Sequence, residues 1–142
     1  MTNAPSIDVK DELVTAGIGI FAASSGWGIY VSKMPSSPDQ TITIFDRGGA
    51  DPNPRFLLDN SSVQIIVRGS VNDYVATYVK SQEIKDHLLG LGDVTLNGTR
   101  YVGFWQQGDI IHVGYDDNDR PLFSLNWRIV REPSTPTNRV PA

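Results

Sequence analysis

Between Leu122 and Arg131 the chain has a period of two: Phe123, Leu125, Trp127 and Ile129 alternate with Ser124, Asn126, Arg128 and Val130. That period sends the two sets to opposite faces of a strand, so one face must be covered by other apolar groups. Thr41-Ile42-Thr43-Ile44-Phe45-Asp46 repeats the alternation. Further β runs are expected at 27–33, 62–68 (rich in Val and Ile), 94–96, 100–107 and 109–115. Asn97-Gly98 joins two of them through a tight type I′ hairpin, because both residue types tolerate positive φ. Asp116-Asp117-Asn118-Asp119 forms the turn between the last two.

Two stretches show helical spacing instead. Residues 6 to about 22 form the first, capped by Ser6 or Asp8, with Asp8, Asp11 and Glu12 in the positive first turn. Ile7, Asp11, Val14, Ile18 and Phe21 mark its stripe, widened by Leu13, Gly17 and Ile20, while Gly17 and Gly19 weaken its second half. The second opens at Ser70, with Asp73 completing a capping box, and ends at Gly90 or Gly92. Its inward face is expected to be Val71, Tyr74, Val75, Tyr78 and Val79, continued by Leu88 and Leu89. Aspartate at Val75 or Val79 should then unfold the domain by burying an unpaired charge.

The resulting order, α-β-β-β-α-β-β-β, implies an α+β fold of mostly antiparallel strands with both helices on one side of the sheet. Residues 1–132 are expected to form a single domain, and 133–142 a patternless, flexible tail. The segment 47–60, with two glycines, two prolines and two aspartates, is a long loop of the kind that is functional or mobile. Trp105 and Trp127 are expected in the core. Trp27 could be core or platform, and Tyr74 and Tyr78 should pack with their hydroxyls at the rim.

Composition narrows the chemistry. The 142 residues are 39% hydrophobic and 20% charged, as in a soluble globular protein. No run nears the roughly 20 apolar residues of a membrane helix, and Met-Thr-Asn-Ala-Pro lacks the basic start of a signal peptide. The chain has no cysteine, which excludes disulfides, thiolate metal sites and a thiol nucleophile. A net charge of −4 with scattered basic residues argues against gripping DNA through its phosphates.

Catalytic and metal motifs fare no better. The two histidines, His87 and His112, read as surface or packing residues. Counted from Asp117, the calcium-loop positions for glycine and glutamate hold Leu122 and Arg128. Ser24-Ser25-Gly26 lacks the spacing of a nucleophile elbow, and neither Gly17-Ile-Gly19 nor Gly90-Leu-Gly92 has a dinucleotide context. No enzyme, cofactor or metal is indicated.

Three ordered motifs carry a resemblance. The first is Met34-Pro35-Ser36-Ser37-Pro38-Asp39 leading into Ile42-Thr43-Ile44, then Gly48-Gly49 and the Pro52/Pro54 loop. The second is Gln64-Ile65-Ile66-Val67-Arg68-Gly69 before the helix at Tyr74. The third is Gly114-Tyr115-Asp116-Asp117-Asn118-Asp119-Arg120 before Asn126-Trp127-Arg128-Ile129-Val130. Over roughly residues 5–132 the chain resembles the minor capsid and tail terminator family of long-tailed phages, with Asp119 where such proteins often carry glycine.

The resemblance implies a structural virion protein with no cofactor, assembled in the host cytoplasm. Its subunits would form a ring, typically a homo-hexamer, at the head-proximal end of the tail tube. The ring would stop tube polymerisation, meet the head's connector or stopper, and let DNA pass as cargo; no membrane is involved. A head-tail completion or neck protein is the neighbouring possibility, and a small ligand-binding or hydrolytic domain the remote one. Partner contacts are expected in the loop Arg47, Gly48, Gly49, Ala50, Asp51, Pro52, Asn53, Pro54 and Arg55, unless that loop merely covers the sheet. Asp116, Asp117, Asn118, Asp119 and Arg120 form a second candidate. The tail from Pro133 would order against a partner.

Overall fold

The chain's alternating segments combine into one sheet of eight strands in a computed structural model that describes residues 2–133 and 136–140. The elements are α1 (Pro5–Thr15), β1 (Ile20–Phe21), β2 (Gly28–Val31), β3 (Thr41–Gly49), β4 (Asp59–Arg68) and α2 (Tyr74–Leu89), then β5 (Val94–Leu96), β6 (Thr99–Gln106), β7 (Ile111–Tyr115) and β8 (Pro121–Arg131). The class is the α+β expected; β5 and β6 are the runs expected at 94–96 and 100–107, and the two-residue β1 is a short addition.

Strand order is β1-β2-β3-β4-β8-β6-β5, with β7 also on β8. β4 runs antiparallel to the whole of β8, from Asp59 opposite Arg131 to Arg68 opposite Leu122. On the other side of β8, β6 pairs with its C-terminal half and β7 with its N-terminal half. Among the described strands only β1–β2 and β2–β3 are parallel. Asn97 and Gly98 turn the β5–β6 hairpin with φ of 49° and 79°, as their residue types anticipate.

One sheet face carries Ile42 and Ile44 of β3, Val63, Ile65 and Val67 of β4, and Phe123, Leu125, Trp127 and Ile129 of β8, all buried. Val9 and Leu13 of α1 and Ile84 and Leu88 of α2 close over them. Each such side chain contributes about 1.5–3 kcal/mol by leaving water. The core also holds a carboxylate. Fully buried Asp8 accepts bonds from Asn97 Nδ2 at 2.8 Å and from the Tyr101 hydroxyl, with Arg131 Nη1 at 3.8 Å. Burial, and then the bond to Asp8, drive the Tyr101 hydroxyl's pKa well up. This network ties α1 to β5, β6 and β8.

Several expectations fail locally. α1 stops at Thr15 rather than near residue 22, because Gly17 takes φ of 77° and Ile20–Phe21 leave as a strand beside β2. Neither Ser6 nor Asp8 caps it. Ala4 is the N-cap, Pro5 opens the first turn, and Ser6 donates from N and Oγ to Asp46 at 3.0 and 2.6 Å. Its buried set is Ser6, Asp8, Val9 and Leu13; of the expected stripe only Leu13 and, past the helix, Ile18 are buried, while Ile7, Asp11 and Val14 are half-buried and Ile20 and Phe21 exposed.

α2 is capped by Asp73, whose side chain accepts from Ala76 N, not by Ser70. Its inward residues are Thr77, Ser81, Ile84 and Leu88, and Val75 and Val79 face out, Val75 at 71% exposure. Aspartate at either valine would therefore meet water and not unfold the domain. Thr77 and Ser81 can turn inward because their hydroxyls donate back to Asp73 O and Thr77 O at 2.6 and 2.9 Å. Trp105 is also outside, stacked under the Arg128 guanidinium at 4.6 Å, whereas Trp127 is core.

Candidate functional site

The 47–55 loop begins later than its composition suggests. Arg47, Gly48 and Gly49 still belong to β3, which bulges between Asp46 and Gly49 before Gly49 meets Ser61. Arg47 is exposed on the sheet, over the Phe45 ring at 4.8 Å, and donates from Nε and Nη2 to Gln64 Oε1 of β4 at 2.9 and 2.6 Å. Ala50, Asp51, Pro52, Asn53, Pro54 and Arg55 are exposed, and Asn53 Oδ1 accepts from Arg55 N at 2.8 Å to make a local turn.

The loop then presents Phe56, Leu57 and Leu58 in succession, Phe56 at 65% exposure. Sequence reading missed them, although three adjacent apolar residues inside a Pro/Asp-rich loop were the available signal. Described residues of the C-terminal segment lie against the same loop. Arg139 bonds Asp59 at 2.6 and 3.2 Å and Phe56 O at 3.2 Å, leaving a cleft of about 540 Å³ beside Pro52, Pro54 and Pro136. The expected flexible tail also includes Ser134, Thr135, Pro141 and Ala142, which lie outside the described residues.

The 116–120 turn is built differently. Asp116 Oδ1 accepts from Asn118 N and Arg120 N at 2.9 and 3.0 Å, and Oδ2 from Arg120 Nε at 2.8 Å. Burial alone would push the Asp116 pKa up; the Arg120 and Asn118 backbone N–H groups and the Arg120 side chain outweigh it and hold the pKa low. Arg120 points inward, its side chain 6% exposed, and also donates to Ser36 O at 2.7 Å and Asp39 Oδ1 at 3.2 Å. Beside it, buried Arg68 donates to Pro38 O and Asp39 O. Asp119 takes φ of 59°, the left-handed conformation that glycine adopts without strain and aspartate tolerates. Asp117, Asn118 and Asp119 alone in this turn are exposed.

The two stretches are not brought together. Gly49 lies opposite Ser61 at one end of the sheet, and the turn precedes Pro121 at the other. The intervening length of β4, Ser61 to Arg68, spans about 22–24 Å at ordinary strand rise. Exposed apolar groups also occur just before α2 (Val71) and on it (Val75, Val79), on β7 (Ile111, Val113, Tyr115) and on β1 (Ile20, Phe21). His112 packs against Phe123 and Tyr74 at ring distances of 4.9 and 5.0 Å, and His87 meets Glu12 at 3.0 Å, joining α2 to α1. Among the described residues no group of three or more His, Asp or Glu is placed to hold a metal.

Comparison with known proteins fits this picture of a small body with several bare surfaces. The family described as bacteriophage tail terminator protein matches residues 12–133. No curated protein matches the sequence. The fold is similar to that of a chain in the virion of a native gene transfer agent (GTA) particle, with a TM-score of 0.53 and 18% identity over 74% of this chain and 78% of that one. With the match spanning most of its length, the chain belongs to the bacteriophage tail terminator family, whose members are structural virion proteins of the tail and not enzymes.

Proposed function

We propose that this subunit works as a homo-hexameric ring at the head-proximal end of the phage tail tube. There it ends tube polymerisation and offers its other rim to the head's connector or stopper. It assembles in the host cytoplasm, and DNA crosses the pore as cargo, repelled by a net charge of −4. The mechanism is steric: a docked ring covers the edges and apolar patches that the next tube ring would use.

One observation carries the reading. The 50–58 loop, tipped by Phe56, Leu57 and Leu58, and the acidic 117–119 turn stand at opposite ends of one sheet. A ring of such subunits would carry an apolar, arginine-flanked rim at one end and, at the other, an acidic turn that lies where a neighbouring subunit or the head can meet it, so the two ends differ in chemistry. Arg47, Gly48, Gly49, Asp51, Pro52, Asn53, Pro54 and Arg55 would face the tube.

Electron microscopy of phage lacking the protein tests this. Overlong tails are expected. Normal-length tails beside full, unattached heads would identify a neck protein instead and overturn the terminator reading.

A further inference from the structure

β1 is shorter than the strand it covers. Its two residues pair with Gly28 and Ile29 of β2 and stop. Ala22 N donates to Ile29 O at 2.9 Å on this outer side, while Gly28 N and Ser32 N donate the opposite way, to Gln40 O and Ile44 O. Alternation therefore turns the N–H and C=O of Val31 outward, beyond the end of β1. Beside them lies a slot of about 370 Å³ lined by Ile7, Phe21, Tyr30, Pro35 and the stems of Lys10 and Lys33.

The opposite edge of the sheet has the complementary defect. β5 covers β6, but β7 pairs only with β8 among the described strands, and its outer edge is bare. Ile111, Val113 and Tyr115 are each about half exposed there. An apolar edge strand of this kind is a template for another chain's edge.

Charge selects between the bare apolar segments as occupants of the slot. Lys33 has no ion pair among the described residues, and Lys10 has Asp11 at 2.6 Å. Next to β7, Asp117 and Asp119 are exposed and have no ion pair among the described residues; Asp109 is offset by Lys85 at 2.8 Å. The 56–58 segment would instead bring Arg55 towards two lysines.

We propose that the β7 edge of one copy of this chain seats in the β1–β2 slot of the next, with Asp117 and Asp119 facing Lys10 and Lys33. This rests on the ring reading above and names the surfaces that join neighbours. Because the two edges differ, the contact is heterologous, and every open assembly keeps one free edge of each kind until a ring closes.

Sedimentation velocity on the full chain, with folding checked by circular dichroism, tests the pairing. Val113→Lys spoils one edge and Phe21→Glu the other. Each variant alone should lose the wild-type oligomer, and an equimolar mixture should associate, because the mixture restores one intact pair of surfaces. Lys33→Glu and Asp117→Lys should each weaken assembly, and the double exchange should recover it; these exposed positions keep the test valid if an edge variant misfolds. Variants that retain the wild-type oligomer, or a mixture and a double exchange that stay monomeric, overturn this pairing while leaving the ring intact as an idea. A wild-type chain that remains solitary both alone and with tail tubes overturns the ring reading, and this one with it.

Discussion

The 116–120 turn and the 50–58 loop both join strands and both stand in the sequence as partner-contact candidates, yet the fold holds them in opposite ways. In the turn, Asp116 gathers three donors and Arg120 reaches across to Ser36 and Asp39, so its backbone is tied to the sheet end. In the loop, Asn53 closes one small turn and Arg139 holds the base at Asp59, while Phe56, Leu57 and Leu58 touch water. A charged residue can thus be structural and an apolar one available for contact. What decides is how many partners each finds within its own subunit.

The sharpest way to break this contrast is Arg120→Ala. It takes one of three donors from Asp116, which keeps the backbone N–H groups of residues 118 and 120, and removes the guanidinium from the Ser36 carbonyl and Asp39; the expected loss is about 2–3 kcal/mol by chemical denaturation. A loss within about 0.5 kcal/mol would mean the turn is as loosely held as the loop. Beneath the same corner, Gly69→Ala should cost about 1–3 kcal/mol, because a Cβ there would lie 1.7 Å from Thr77 Oγ1 and force α2 off β4.

Acid sharpens it further. The Asp116 pKa is held below its ordinary 3.8, so the unfolded chain binds the proton first as pH falls. Its stabilisation is complete above that ordinary value and disappears as pH drops through the folded one. Asp116→Asn should therefore flatten the acid limb of stability below about pH 5, and an unchanged limb would remove the carboxylate from the account.

The smallest stability effects belong to the open surfaces. Val75→Asp should change stability by no more than about 0.5 kcal/mol. Arg47→Glu with Arg55→Glu should do likewise while abolishing docking to tail tubes, read by co-sedimentation. Docking at the wild-type level would take the loop out of the interface.

Much of the fold was legible residue by residue. Alternation at 41–46 and 122–131 located β3 and β8, and Asn97-Gly98 located a hairpin whose φ values need those residues. The helix faces were not legible. On α2 the valines make the more regular apolar stripe, but Thr77 and Ser81 satisfy their own hydroxyls, and Thr77 packs directly on Gly69. The candidate site was half legible: the loop, the turn and the strand β7 were found, whereas the exposure of Phe56–Leu58, the open edge of β7 and the slot beside β1 were not. Bareness is a property of neighbours, and a one-dimensional pattern does not contain them.

By itself, then, the amino-acid order determined where strands and turns form, since period, hairpin chemistry and chain breaks act over a few residues. Only the tertiary structure decided which side of α2 is dry, that Arg120 serves its own subunit, and that two unlike edges remain open. Those outcomes depend on which distant groups, such as Asp39 and Arg120 or Asp8 and Tyr101, meet in space, and on the free energy of leaving water that only the meeting settles.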